Sequence, residues 1–260
     1  MDLGIAGRKA IVCASSRGLG MACAIALARE GAQVFINGLD EVRLASTADE
    51  IRSLTGGSVT PTRADINTEE GRRALVAACP DADILVNNNA GPIPGNFQDW
   101  SQADWLKVLS ANLLAAVFLI QALLPGMRAR KYGRIVNILS AMAKSPHMSE
   151  MGQSTAARLG LMGISKSLTR IVAPDNVTIN NLLPERFDTD RQQFMAARMV
   201  RELGIDMQEA RRRIVATIPV ARFGRPEEFG DTCAFLCGRN AGFMTGQNIQ
   251  LDGGAYEGVV

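Results

Sequence analysis

The sequence has few aromatic residues and almost no net charge. Its 260 residues include two tryptophans, two tyrosines and nine phenylalanines, and the formal net charge is +2. Proteins that bind nucleic acids use basic surfaces, and often aromatic rings that stack on bases. The composition therefore argues against a nucleic-acid partner. At 47% hydrophobic and 21% charged residues, it also excludes a disordered or fibrous chain.

Cysteines are scarce and scattered. The set is odd in number and contains no C-x-x-C pair: Cys13, Cys23, Cys79, Cys233 and Cys237. This pattern favours reduced thiols in a core over a disulfide framework or a metal site, and we expect no metal.

Long apolar runs and targeting signals are also missing. The longest apolar run, Leu113–Leu124, contains Gln121, is followed by Pro125, and falls short of the roughly 18 residues that a membrane span needs. The first residues lack a charged stretch followed by an apolar core and a cleavage site. We therefore expect a cytoplasmic protein without a membrane-spanning helix.

Strand-like and helix-like segments alternate along the chain. Six short runs rich in β-branched residues predict strands buried on both faces: Lys9–Cys13, Gln33–Asn37, Asp83–Asn87, Arg134–Leu139, Val177–Asn180 and Asn248–Asp252. Between them lie stretches with helical periodicity: Gly18–Glu30, Leu39–Leu54, Thr68–Cys79, Ser101–Arg130, Thr155–Val172 and Pro226–Gly238. This alternation predicts an α/β fold, a single doubly wound parallel sheet of Rossmann type with helices on both faces. One domain over residues 1–260 is the simplest interpretation.

One long segment interrupts this alternation. Residues 186–225 are helical in character and contain nine arginines against five acidic residues. The segment is longer than most connections in a compact domain, which makes it a candidate lid. Its positive charge would attract a phosphorylated or carboxylated substrate, or it belongs to a solvated helix face. Met195 and Met199 either line a pliable pocket or fill the core.

The first predicted strand runs into a glycine-containing turn and then a helix. The turn consists of Cys13, Ala14, Ser15, Ser16, Arg17, Gly18, Leu19 and Gly20. Glycines at such a turn let the backbone approach a diphosphate, which the free N–H groups at the helix start hold in place. A plain tight turn is the alternative, because a Gly-x-Gly pattern alone is weak evidence.

These residues resemble the cofactor motif T-G-x-x-x-G-x-G of the short-chain dehydrogenase/reductase family, with Cys13 and Ala14 at its first two positions. The resemblance covers nearly the whole chain, from Gly7 to Gly254. It implies that Asp65, followed by Ile66, contacts the adenine. It also implies that an N-N-A-G turn lies beneath the cofactor, although three consecutive asparagines leave its register open by one residue. Read in the later register, the turn consists of Asn88, Asn89, Ala90 and Gly91.

The same resemblance assigns the catalytic end of the site. Ser140, at the end of the strand Gly133–Leu139, corresponds to the serine that holds the substrate oxygen. Asn112 corresponds to an asparagine that holds a water molecule of the proton relay. Pro184 and Thr189 correspond to the segment that contacts the nicotinamide.

The choice of dinucleotide depends on the end of the second strand. A carboxylate there would bind the adenosine ribose and repel a 2′-phosphate, but the position holds Gly38. Arg17 stands where relatives that prefer the phosphorylated cofactor carry an arginine, and its guanidinium would clamp the phosphate. Leu39 stands where many such relatives have a second arginine. The pattern favours NADP(H) and leaves NAD(H) open.

The chain departs from the family at its proton donor. The family uses Y-x-x-x-K, in which tyrosine passes the proton and lysine lowers its pKa, and residues i and i+4 share one helix face. Aligned on Gly160–Leu168, these positions hold Ser154 and Arg158. An aliphatic hydroxyl is a poor proton donor, and the arginine acts as a fixed charge that would hold the ribose hydroxyls.

Other groups nearby are alternatives as donors. Lys144, His147 and Glu150 follow Ser140, but a loop histidine after proline is more often solvated than catalytic, and a lysine such as Lys144 is more often a surface charge. Glu185 follows Pro184 where the family commonly has glycine. It either faces the pocket, as an acid, a base or a block to the cofactor, or faces solvent.

The resemblance predicts an NAD(P)(H)-dependent oxidoreductase acting on a small carbonyl or alcohol substrate such as a 3-oxoacyl thioester. The alternatives are a catalytically impaired nucleotide-binding or scaffolding protein, and a lyase or isomerase using the same pocket.

The apolar helical runs Leu113–Leu124 and Leu159–Ile171 resemble the family's dimer interface and Asp252–Gly254 its tetramer-forming end, so we expect a homotetramer, or else a homodimer. A monomer with these faces in its core is the alternative.

Overall fold

Residues 1–259 are described by the computed structural model, and their central feature is a parallel β-sheet. Its strands follow the order β3-β2-β1-β4-β5-β6-β7, and every neighbouring pair is parallel. The strands are β1 Lys9–Val12, β2 Gln33–Gly38, β3 Val59–Arg63, β4 Ile84–Asn87, β5 Gly133–Ile138, β6 Val177–Pro184 and β7 Asn248–Leu251.

Helices cover both faces of this sheet. The helices of these residues are α1 Gly18–Arg29, α2 Glu41–Thr55, α3 Glu69–Ala78, α4 Gln102–Leu109, α5 Ala115–Ala129, α6 Gly152–Val172, α7 Asp190–Leu203, α8 Met207–Val215 and α9 Pro226–Cys237. Successive strand residues alternate between two cores: Val12 packs with α1 and α9 on one face, and Ile11 packs with α3 and α5 on the other. The predicted doubly wound Rossmann-type fold is confirmed.

Strand β3 is the element that the sequence did not reveal. It forms the edge of the sheet beside β2, and most of its residues are exposed. An edge strand with one covered face does not need an apolar run, and it tolerates Pro61 because one side of its backbone has no strand partner. Its polar composition therefore hid it.

The helical stretch predicted at Ser101–Arg130 forms the helix pair α4–α5, which is long and apolar. The segment Gln102–Ala129 is continuous over 28 residues with a mean hydropathy of 2.0 in its most apolar window, which by length and composition suffices to cross a membrane. The interruptions at Gln121 and Pro125 do not end it. Leu119, Ile120 and Leu123 pack into the core beneath the sheet, as the core helix of a folded domain does.

The segment 186–225 folds into helices α7 and α8, which share a small apolar core. Ala196, Ala210 and Ile214 are buried in this core, and Met199 packs against it. Core packing therefore accounts for Met199. The arginines of the segment are mostly paired with acids: Arg198 with Glu150 and Glu202, Arg211 with Asp188, Arg212 and Arg213 with Glu209, and Arg222 and Arg225 with Glu228.

A row of asparagines crosses the sheet interior. Asn87, Asn137, Asn181 and Asn248 occupy paired positions on β4 to β7. The amide of each donates to the carbonyl of the next, at 2.8, 2.9 and 2.8 Å. Asn137 also donates to Ser165 Oγ at 3.0 Å. These bonds satisfy polar groups that would be costly to bury alone.

Replacing Asn137 by alanine is expected to lower the free energy of unfolding by about 3 kcal/mol, because it removes a hydrogen-bond partner from Asn87, Asn181 and Ser165, all of which are buried. Asn248→Ala, at the exposed end of the row, should cost about 1 kcal/mol. Urea unfolding followed by circular dichroism measures both values. Equal losses would show that the row has no special role.

Candidate functional site

The strand order reverses between β1 and β4. After β1 the chain continues to β2 on one side of the sheet centre, and after β4 it continues to β5 on the other side. In open parallel sheets a crevice forms beyond the carboxyl ends of the strands at this point, and ligands bind there. The two segments that follow these strands are the turn at residues 13–20 and the asparagine turn at residues 88–91. The topology therefore brings the predicted cofactor residues together.

The turn after β1 is held in shape by the end of β2. Ser15 N donates to Asn37 O at 2.8 Å, and Asn37 N donates to Ser15 Oγ at 3.0 Å. Ala14 has φ +44°, in the left-handed region where glycine is normally favoured. The alanine thus adopts the backbone shape of the family's glycine.

Gly20 sits where the turn meets the asparagine segment. A Cβ at this position would lie 2.5 Å from Ala14 O and 2.8 Å from Asn88 Nδ2. Asn88 Nδ2 donates to Ala14 O at 3.0 Å. A Cβ on Gly18 would lie 3.9 Å from Thr189 Cγ2, so Asn88 and Thr189 both lie close to the start of α1.

The three consecutive asparagines make different contacts. Asn87 is the end of β4 and bonds to Asn137, whereas Asn88 reaches the turn. Asn89 Nδ2 donates to Ala111 O at 2.8 Å and Asn89 Oδ1 accepts from Ala90 N at 2.8 Å. Of the three asparagines, it is therefore Asn88 that contacts the turn at residues 13–20.

At the adenosine end, Gly38 and Ser16 are in close proximity. A Cβ on Gly38 would lie 3.2 Å from Ser16 Oγ. Arg17 instead pairs with Asp190 of α7 at 3.1 Å, with both side chains more than half exposed. Such a pair contributes at most about 1 kcal/mol, so the guanidinium is easily released.

Arg63 is a second guanidinium at this end that the sequence did not single out. It is the register partner of Gly38 in the sheet and donates through Nε to Leu39 O at 3.2 Å. Asp65, two residues later, accepts from Asn67 N at 3.0 Å. Only the missed strand β3 brings Arg63 to this place, which explains why it was overlooked.

A small cavity of about 20 Å³ lies beneath the asparagine turn. Its lining includes Ile66, Asn87, Asn89, Asn112 and Arg158. Asn112 lies in a π-helical turn, residues 110–114, between α4 and α5. Such turns often occur at functional sites. The predicted water-holding residue and the arginine thus share one cavity.

Ser154 and Arg158 are both buried in α6, with 1% and 8% of their surface exposed. Arg158 Nη1 donates a short hydrogen bond to Ser154 Oγ. Burial lowers the pKa of Arg158 to about 10, and the nearby charge of Arg191 contributes to the shift. The guanidinium stays charged at neutral pH.

Ser140 follows β5 and caps the next turn. Its Oγ accepts from Met142 N at 3.2 Å, and α6 packs against the turn 141–143. Among the described residues, neither Ser140 nor Ser154 is part of the lining of the Arg158 cleft. Pro184 ends β6 beside Leu251.

The substitute proton donors engage other groups. Lys144 Nζ lies 4.7 Å from the centre of the Tyr256 ring. Glu150 pairs with Arg198 at 3.6 Å, and His147 Nε2 lies 3.9 Å from Glu185 Oε1.

The sequence left open whether the side chain of Glu185 faces the pocket or solvent. Its side chain is 12% exposed and pairs with Arg186 at 3.5 Å. It lines a second cleft with Arg222, Gly224 and Asp252. It therefore faces neither open solvent nor the Arg158 cleft.

Comparisons with known proteins agree with this geometry. Residues 13–256 match the protein family described as enoyl-(acyl carrier protein) reductase. The chain is 32% identical over 264 residues to the uncharacterized oxidoreductase YvaG of Bacillus subtilis, covering all of both chains. It is 31% identical over 260 residues to the 3-oxoacyl-[acyl-carrier-protein] reductase FabG of Aquifex aeolicus, covering 98% of this chain and all of the relative.

A solved structure is similar over the full length. The L-sorbose reductase of Gluconobacter frateurii, in complex with NADPH and L-sorbose, superimposes with a TM-score of 0.94 at 30% identity and complete coverage of both chains. The chain therefore belongs to the short-chain dehydrogenase/reductase family. It is an NAD(P)-dependent oxidoreductase with a small-molecule substrate.

Proposed function

We propose that this oxidoreductase uses NADP(H) to interconvert a carbonyl and an alcohol, slowly, through an atypical catalytic pair. The observation that carries the proposal is the crevice between β1 and β4. There Asn88 contacts the turn at residues 14–20 and Thr189 lies beside the start of α1, and the buried Ser154–Arg158 pair lies on α6.

The crevice fits a dinucleotide. Gly20 packs so closely against Ala14 O and Asn88 Nδ2 that no side chain would fit there, and the N-terminus of α1 offers free N–H groups to a diphosphate. The residues that would hold the cofactor are Ala14, Ser15, Ser16, Arg17, Gly18, Leu19, Gly20, Gly38, Asp65, Ile66, Asn88, Asn89, Ala90, Gly91, Pro184 and Thr189. When bound, the cofactor supplies or accepts the hydride.

The protein's own groups position the substrate and handle the proton. Ser140 would hold the substrate oxygen, Asn112 a water molecule, and Arg158 a ribose hydroxyl. Ser154 accepts a hydrogen bond from Arg158, which keeps its own proton free to be donated. An aliphatic hydroxyl holds this proton far more tightly than a phenol. General acid catalysis is worth about 10²–10⁴ in rate, so we expect slow turnover.

Three features support NADP(H) over NAD(H). Gly38 leaves the end of β2 without a carboxylate, Arg63 adds a guanidinium there, and Arg17 is held only by an exposed ion pair. The L-sorbose reductase that superimposes on this chain binds NADPH.

Gly38→Asp is expected to weaken NADPH binding about 100-fold and to change NADH affinity by less than about threefold, because the new carboxylate repels the 2′-phosphate. Gly38→Ala is the matched control, since it adds the same Cβ near Ser16 Oγ without charge. Fluorescence titration with each nucleotide measures the affinities. If both variants lost affinity for NADPH and NADH equally, the effect would come from steric crowding by the added Cβ and not from its charge.

The direct test of the function combines binding and turnover. NADPH and NADH are titrated by fluorescence, and NADPH consumption is then followed with ketones, sugars and 3-oxoacyl thioesters. We expect micromolar or tighter NADPH binding and slow reduction of at least one carbonyl class. Failure to bind either nucleotide would overturn the proposal, as would tight binding without any turnover.

We propose further that residues 186–225 act as a lid over the crevice. Three contacts support this: Arg17 with Asp190 at 3.1 Å, Arg191 Nη2 with Pro92 O at 3.2 Å, and Arg198 with Glu150 at 3.6 Å. They join α7 to three different parts of the site. Cofactor binding should therefore protect the amides of α7 from hydrogen exchange more than those of α2.

We also propose a homotetramer, or a homodimer, in solution. Five large apolar side chains on the outer faces of α4 to α6 are exposed in the single chain: Leu106, Leu114, Phe118, Leu159 and Ile171. Burying them between copies would remove this surface from water. Light scattering after size exclusion is expected to give two or four times 27.9 kDa.

We place the protein in the cytoplasm. All five cysteines are free thiols in buried positions, as suits a reducing compartment. Fractionation of the native cells should recover the protein with soluble cytoplasmic markers.

A further inference from the structure

Two arginines meet at the turn above the cleft, and neither has an acidic partner. A Cβ on Gly91 would lie 3.4 Å from Arg158 Nη2. Arg191 Nη2 donates to the carbonyl of the next residue, Pro92, at 3.2 Å. The two guanidinium groups therefore approach the same pair of residues, one from α6 and one from α7.

These arginines differ from the other charged groups of the lid. Most lid arginines pair with a carboxylate, but within residues 1–259 no salt bridge to an acid is found for Arg158 or Arg191. Asp190, the nearest acid along the chain to Arg191, pairs with Arg17 instead. Burial lowers the pKa of both guanidinium groups, yet both remain charged at pH 7.

Arg158 is buried, and Arg191 is partly buried with its guanidinium 5.5 Å from the centre of the Phe194 ring. A cation without an acidic partner is costly in such a place, and an oxyanion offsets this cost. A guanidinium has five N–H donors in a planar fork that matches a carboxylate. The hydrogen bond of Arg158 to Ser154 uses one of them. Enough donors remain for a ribose hydroxyl and for one further oxygen ligand.

The position of the pair favours the substrate over the cofactor as the source of this oxyanion. The amides and hydroxyls for a diphosphate lie in the turn at residues 14–20. Arg158 instead shares its cleft with Asn89 and Asn112, and Arg191 reaches Pro92 rather than the turn. Within residues 1–259, no hydrogen bond joins Arg158 or Arg191 to the turn that would hold the diphosphate.

We propose that Arg158 and Arg191 form a binding site for a carboxylate, so that the substrate of this chain is an oxo acid or hydroxy acid. The inference rests on the proposed function and narrows its substrate class. Arg158 at the family's lysine position would thus determine specificity as well as hold the cofactor.

The test uses matched pairs of ligands that differ only in charge: pyruvate, acetoacetate and levulinate against their methyl esters. Binding is measured by calorimetry on the protein saturated with NADP⁺ and on the protein alone. We expect at least one acid to bind about tenfold or more tightly than its ester. The spacing of carbonyl and carboxylate in that acid then gives the distance between the reacting centre and the arginines.

Variants assign this preference to the two arginines. Arg158→Gln and Arg191→Gln should each remove it, and Arg158→Lys should retain most of it because the charge remains. Arg201→Gln is the matched control on the same lid helix, since Arg201 lies on α7 and is exposed. Arg191, which lies on the lid, keeps the test valid if Arg158→Gln fails to fold.

The other outcomes separate this proposal from the proposed function. Equal affinity for acids and esters, with normal NADPH binding, overturns the carboxylate site alone. Loss of NADPH affinity in both glutamine variants, with no acid preference, assigns the arginines to a cofactor phosphate and also overturns it. An acid preference in a protein that binds neither nucleotide supports the carboxylate site and overturns the proposed function.

Discussion

The double variant Ser154→Tyr, Arg158→Lys is expected to reduce carbonyl substrates about 10²–10⁴ times faster than the natural chain. The substitutions restore a phenol and an ammonium group four residues apart on α6, facing the same side of the helix. A phenol has a pKa near 10, which a neighbouring cation lowers further, so it donates a proton far more readily than a serine hydroxyl. Steady-state consumption of NADPH with the best carbonyl of the panel measures the gain.

Ser154→Phe, Arg158→Lys is the matched control, because it adds the same ring without the hydroxyl. It should show no gain, and its melting temperature should be close to that of the tyrosine variant. If the tyrosine variant folds and binds NADPH but is no faster than the control, the slow step does not lie in the proton transfer. The pocket would then have diverged in its contacts to the substrate.

Gly20→Ala is expected to weaken NADPH binding by roughly 100-fold or more, equivalent to about 3 kcal/mol. The added methyl group would lie 2.5 Å from Ala14 O and 2.8 Å from Asn88 Nδ2. Neither neighbour yields easily, because one is backbone and the other donates a 3.0 Å hydrogen bond to it. The turn would have to open, and its N–H groups would lose their orientation toward the diphosphate.

Gly163→Ala serves as the control for this substitution. Gly163 lies inside α6, and a Cβ there meets nothing within 4 Å. The change should leave NADPH affinity unaltered and stabilise the helix by somewhat less than about 1 kcal/mol. Fluorescence titration and thermal unfolding of both variants give the comparison. Normal NADPH binding by Gly20→Ala would show that the crevice is not the cofactor site.

The strands of the central sheet were predictable from sequence because they are buried on both faces. Such strands need continuous apolar runs, as in Ile84–Asn87, and these stand out against the helical periodicity around them. Strand β3 lies at the edge and carries polar residues, so the same criterion missed it. Arg63 was missed with it.

The candidate site was predictable where the backbone dictates residue type. Gly20 and Asn88 are constrained by close contact, and their spacing along the chain marks them. The charges could not be assigned in this way. Whether Arg17 faces Gly38 or Asp190, and whether Arg191 is one of many solvated arginines or a partly buried one, depends on how α7 packs across the crevice. No periodicity in residues 186–225 carries that information.

The asparagine row restricts how this sheet can change during evolution. The two inner members, Asn137 and Asn181, each donate to one neighbour and accept from the other, so exchanging either for leucine leaves polar groups on both adjoining strands without that partner. Substitutions in this row are tolerated when the asparagines of adjoining strands are replaced nearly together, or when the exposed Asn248 is replaced first. Descendants of this chain should therefore inherit the four amides as a block, whatever happens to Ser154 and Arg158.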